Sequence, residues 1–200
     1  MSTSTSSVPP SSASTQEPNP GPYSEPYVEP WLRGTHTEVP SVGRAVIHAL
    51  ELSLEDIARW TRTLTDAEIH SRPLGLPSIA FHLRHIARSV DRILTYSEGN
   101  QLSAEQLSAL KSEQISDEEP LPALLAELQA SLTQAFDRIR TLAAADYETP
   151  RGVGRKQLPT SLGGALIHTA DHTQRHAGQI VTTAKVLLAM RPAAMQDGLL

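Results

Sequence analysis

Leu, Ile, Val and Ala recur every three or four residues along most of the chain, and that period predicts helices. The first runs from an N-cap at Ser41 to about Leu64, with Val42, Ala45, Val46, Ala49, Leu50, Leu54, Ile57 and Ala58 on one stripe. Pro73, Gly75 and Pro77 then punctuate the chain. Ser78 caps a second helix carrying Ile79, Leu83, Ile86, Val90, Ile93 and Leu94 to about Ser97, where Gly99-Asn100 stops it. A third spans about Pro122 to Leu142, with Leu124, Leu125, Leu128, Leu132, Ala135, Phe136, Ile139 and Leu142 as its stripe. A fourth begins at or just after Ser161 and runs to about Met190, where Pro192 ends it. Between the second and third lie a short helical candidate, about Ala104 to Lys111, and an acidic stretch, Asp117-Glu118-Glu119. Residues 145–160 read as a Gly/Pro-marked loop with a little extended structure.

Four helices of this length pack as two layers, so the expected fold is all-α, a four-helix bundle over 41–192. The connection between the second and third helices is long enough to cross the whole bundle, but length alone does not fix the topology. The first residues are different. Of the first 16, ten are Ser or Thr, and eight of the 15 prolines lie in 1–40. Residues 1–24 are too polar to offset their ordering entropy and are expected to be a disordered tail. Residues 25–40 space Tyr27, Trp31, Leu32 and Val39 among prolines and are expected to form an extended anchoring segment held by Trp31. Residues 193–200 are expected to fray.

Composition narrows the function. Aromatics are 4% of the chain, so aliphatic residues must fill the core, which suits helices. The net charge is −5 with no long basic run, so no nucleic acid partner is expected. Cysteine is absent, which excludes disulfides, thiolate ligands and a cysteine nucleophile. No apolar run approaches a membrane span, and MSTSTSSVPPSS lacks the features of a secretory signal, so no membrane partner and a cytoplasmic location are expected.

The chemistry lies in the histidines. There are eight, with His82 and His85 on the second helix and His168, His172 and His176 on the fourth. His172 and His176 are four residues apart and fall, by 100° per residue, within the apolar stripe of their helix; His168 lies towards its edge. His82 is near the centre of the second helix's stripe and His85 on its flank. Buried imidazoles need partners for their ring nitrogens. One divalent cation (zinc, nickel or iron) satisfies three at once, and three histidines with an open position form a catalytic zinc geometry. A zinc protease is excluded, because His172-Thr173-Gln174-Arg175-His176 lacks the glutamate of HExxH. A di-iron carboxylate bundle is excluded, because the chain has no Glu-x-x-His.

SIAFHLRHIARSVDRIL (78–94), HTADHTQRHAGQIV (168–181) and the loop VGRKQLPTS (153–161) resemble the DinB/YfiT-like family of metal-binding four-helix bundles, and the likeness extends over 25–190 in order of elements. The resemblance implies an up-down-down-up bundle with a divalent metal held by His85, His172 and His176, while His82 or His168 remains an alternative third ligand or a supporting group. It also implies an S-transferase, isomerase or hydrolase using a low-molecular-weight thiol on a small-molecule substrate. A non-catalytic, metal-stabilised stress or binding protein is the alternative, and a homodimer is compatible with both. Arg151, Arg155 and Lys156 are candidates to face an anionic substrate; Ser89, Tyr96, Gln179 and Thr183 are candidates to orient a ligand.

Overall fold

Prolines and hydroxyl side chains set the helix starts. The computed structural model describes residues 27–113 and 118–192; the expected disordered tail, the fraying end and Asp117 lie outside them. α1 spans Ser41–Thr61, and its N-cap is Pro40, not Ser41. The Pro40 carbonyl accepts from Arg44 N at 3.0 Å, which places Ser41 inside the first turn with no capping bond from its hydroxyl. α2, Asp66–His70, falls in a stretch expected to be loop. Thr65 and Glu68 form a full capping box there, a local signal strong enough to stabilise a helix of five residues. α3 spans Ile79–Ser97, and the Ser78 hydroxyl accepts from Phe81 N. α4, Ala104–Ser112, is the short helical candidate, again begun by a capping box, Ser103 with Gln106. α5 covers Leu121–Leu142 and α6 covers Leu162–Met190, capped by Ser161.

The described residues are mostly helical, but not purely so. β1, Pro150–Val153, pairs antiparallel with β2, Leu158–Ser161, in a register that sets Pro150 opposite Ser161 and Val153 opposite Leu158. Arg151 Nε donates to the Ser97 carbonyl at 2.5 Å and buckles this hairpin to the end of α3.

The long helices meet in pairs: α1 packs on α5 and α6, and α3 packs on the same two. Their shared interior holds Ile47, Leu50 and Ile57 of α1, Leu83, Ile86 and Leu94 of α3, Leu124, Leu128, Leu132 and Ile139 of α5, and Leu166 and Ile180 of α6. Val42 and Ala45, expected on the α1 stripe, are half-buried and exposed; Gly43, Val46 and Ile47 take the inner face. A Cβ on Gly43 would stand 3.1 Å from Ala143 Cβ and from Val39 Cγ1, so α1 approaches the end of α5 closely there and a larger residue would have to push these neighbours aside by a few tenths of an ångström.

Residues 27–40 lie along α1, but Trp31 is not their anchor. It is 61% exposed, and its indole donates only to neighbouring Glu29. Instead Pro30 and Val39 are buried. Tyr27 Oη donates to Glu55 Oε2 at 2.6 Å, and Arg33 makes a two-pronged ion pair with the same carboxylate. The larger aromatic stays outside because the local chain turns through a 3-10 segment, Pro30–Leu32, that buries the proline and turns its neighbour outward.

No helix among the described residues is long and apolar enough to cross a membrane.

Candidate metal centre

The Ser78 cap fixes where α3 begins, and thereby places His82 and His85 in its first two turns. α6 packs alongside α3 and brings His172 and His176 opposite them. On α6 the expected apolar stripe, Leu162, Ala165, Leu166, Ile180, Ala184 and Leu187, is buried, but between Leu166 and Ile180 it passes through Thr169, Thr173 and Ala177 instead of through the histidines. Thr169 and Thr173 can occupy it because each hydroxyl donates to the carbonyl four residues earlier, at 3.0 and 2.8 Å. His172 and His176 therefore sit half-buried at the stripe's edge, not at its centre.

His85, His172 and His176 each offer a ring nitrogen, and the three lie within 4.8 Å of one another. The rings of His172 and His176 are 4.6 Å apart edge-to-face, and those of His85 and His176 4.5 Å. His85 Nε2 faces His172 Nε2 across 3.0 Å. His82, fully buried, approaches only His176, with the two Nδ1 atoms 3.1 Å apart. His168 stays half-exposed and pairs with Asp171 at 3.0 Å. Neither joins the group of three.

Whether these residues suit a cation can be judged from Glu113, which no sequence pattern singled out. It stands at the C-terminal end of α4, and its Oε2 lies 2.8 Å from His85 Nδ1. A carboxylate only accepts, so the proton resides on Nδ1 and the His85 lone pair points from Nε2 towards His172 and His176. Phe81 stacks on the His85 ring at 5.5 Å and fixes its plane. Carboxylate-oriented histidine is the usual support of a metal ligand. Glu113 also pairs with buried Arg92. Burial works to raise its pKa, but the hydrogen bonds from His85 and Arg92 outweigh that and hold it below the usual carboxylate value.

Burial disfavours the charged form of His82, His172 and His176. Burial first, then the neighbouring His176 and His85, pushes His172 and His82 down to about 4. Burial also lowers His176. Three ring nitrogens within reach of one another, one of them oriented from outside, fit a borderline divalent cation.

A cavity of about 380 Å³ opens on the group, lined by His85 and His172 with Ser89, Ile93, Tyr96 and Leu110. Ser89 and Tyr96 thus do reach the ligand space. Gln179 and Thr183 line a different cavity of about 400 Å³, beside His82 and Arg175. Arg151, Arg155 and Lys156 do not line this cavity. Arg151 is spent on Ser97, and Arg155 and Lys156 are exposed at the hairpin turn. From that hairpin it is Val153 and Thr160 that reach the cavity.

No curated protein matches the chain. A family profile described as the DinB superfamily matches residues 49–180, which include α3, the hairpin, and His85, His172 and His176 on α3 and α6. With well over half the chain so matched, and its three histidines gathered between those two helices, the protein belongs to the DinB superfamily.

Proposed function

We propose that His85, His172 and His176 hold one divalent cation of the zinc, nickel or iron class, and that the protein acts on a small molecule with a low-molecular-weight thiol, as an S-transferase or a thiol-dependent isomerase. The four long helices then form an up-down-down-up bundle with the centre between α3 and α6. The observation that carries the reading is the Glu113–His85 contact beside an open cavity: a ligand oriented from outside, next to space for a substrate.

When bound, the cation acidifies a coordinated thiol or water near neutral pH. The chain's own residues do the rest. Glu113 keeps the proton on Nδ1 of His85 and so keeps its other nitrogen available. Ile93, Leu110 and Val153 give the cavity an apolar wall that excludes water from the reacting centre. Arg92, the cationic group on this wall, is already paired with Glu113, so the body of the substrate is expected to be apolar.

The test is spectroscopic. Full-length protein loaded with Co²⁺ should show a thiolate charge-transfer band on addition of small thiols, and His172→Ala should abolish the band together with metal binding at this centre. Loaded protein that binds no thiol would leave the second reading ahead, in which the metal only stabilises the helices. That reading draws on His82, whose Nδ1 lies 3.1 Å from His176 and close enough to close the site. Under it, His82→Ala should open the centre to exogenous ligands.

A further inference from the structure

On α1 and the segment before it, a second set of ligating atoms comes together. His48 and Glu51 are three residues apart on α1 and share a face. His36, from the segment before the helix, reaches over them. Its Nε2 lies 2.8 Å from Glu51 Oε1, and its ring centroid lies 5.6 Å from that of His48. One ligand atom from each of the three falls within 4.8 Å of the others. His48 is 6% exposed, and His36 and Glu51 are half-buried.

We propose that His36, His48 and Glu51 form a second divalent-cation site, separate from the first, which clasps residues 27–40 to α1. Two imidazoles and one carboxylate suit zinc, cobalt or nickel rather than magnesium or calcium, which take oxygen donors.

Two further observations support it. His36 has φ of 56°, a left-handed conformation that is costly for a side chain with a Cβ. That backbone is what turns the ring back onto α1. Then there is the arrangement around Nδ1 of His36. Arg140 Nη2 approaches it at 3.3 Å, which leaves the Nε2 proton to Glu51 in the metal-free state. Glu38 Oε1 stands 4.0 Å from the same nitrogen. Metal binding at Nε2 moves the proton to Nδ1, where Glu38 replaces Arg140 as its partner; Arg140 keeps Asp137 at 3.0 Å. Thr35 Oγ1, 3.1 Å from His48 Nε2, rotates aside to free that lone pair. The family match begins at residue 49, so His36 and His48 lie outside it and Glu51 lies within it.

The experiment uses tag-free, full-length protein stripped by chelator and titrated with Co²⁺. His172→Ala protein, which lacks the first site, should still bind one equivalent. Glu51→Gln or His36→Asn in that background should weaken this binding by at least about tenfold, since loss of even a group that only supports a ligand costs about that much. His36→Asn is the milder variant, because asparagine tolerates the left-handed backbone. In otherwise unchanged protein the same two substitutions should lower the total by one equivalent, which guards against misfolding of the doubly changed chains. Arg140→Ala should bind Co²⁺ more tightly. His172→Ala protein that binds no Co²⁺, or full binding after both Glu51→Gln and His36→Asn, overturns the second site. Unchanged total binding on His172→Ala alone overturns the first site instead, so the two failures are distinct.

Discussion

Glu113 accepts a hydrogen bond from His85 Nδ1 across 2.8 Å, although the two residues belong to different helices and stand 28 positions apart. This contact decides which nitrogen of His85 faces the other two imidazoles. Glu113→Gln keeps the shape and an accepting oxygen but removes the charge. We expect metal affinity at the first site to fall by about 10- to 100-fold, the usual effect of losing such a support. Chelator competition on the purified variant checks it; unchanged affinity would mean that Glu113 is a structural partner of Arg92 alone.

Acid should loosen the end of α6 before it loosens the helical interior. Arg191 donates to both oxygens of Glu68, at 2.7 and 2.8 Å, and also to the Thr63 carbonyl. The Arg191 hydrogen bonds, aided by Thr65 and opposed by burial, hold the Glu68 carboxyl down to about 2. A carboxyl depressed in the folded state stabilises it fully above the unfolded value of 4.5. That contribution is lost as pH falls from there through about 2. Glu68→Gln should therefore lower the melting temperature at pH 7, and the gap to the original protein should close on acidification through that window. A gap independent of pH would refute the linkage.

The segment before α1 offers a contrast between two aromatics. Trp31 is mostly exposed, so Trp31→Ala should change stability by no more than about 0.5 kcal/mol. Tyr27→Phe removes a hydrogen bond to Glu55 and should cost about 0.5–1.5 kcal/mol. Urea unfolding of both variants decides between them. A larger loss at Trp31 would mean that the indole is covered in solution.

In the shared interior, Leu128 is fully buried among the long helices. Leu128→Ala should cost about 2–5 kcal/mol, through lost burial and the cavity left behind. Arg155→Ala, at the exposed hairpin turn, should alter neither stability nor Co²⁺ content measurably. An effect of Arg155 on thiol affinity would show that the hairpin folds over the cavity when substrate binds.

The long helices were legible in the sequence because their signal is periodic and repeated over five or more turns, as in Leu124, Leu128, Leu132 and Ile139. α2 was not, because five residues carry no period; its evidence lay in the spacing of Thr65 and Glu68 alone. The three histidines were legible as a group because helix spacing and the family resemblance act on elements that pack directly. Their depth was misjudged by one position, since Thr169 and Thr173 bury polar side chains that a hydropathy count assigns to the surface. Glu113 and the His36–His48–Glu51 set could not be read. Both depend on where a connecting segment lands in space, and nothing in the order of residues states that.

The three imidazoles ride on long helices that cannot shift without disturbing the interior, whereas the carboxylate orienting one of them hangs from α4, a nine-residue helix with no buried residue of its own. The orientation of His85 is thus set by a part of the chain under few packing constraints. Insertions or replacements in this connection can retune the centre while every ligand stays in place. For a lineage under selection, that makes the joint between two rigid rods the cheapest point at which to diversify reactivity.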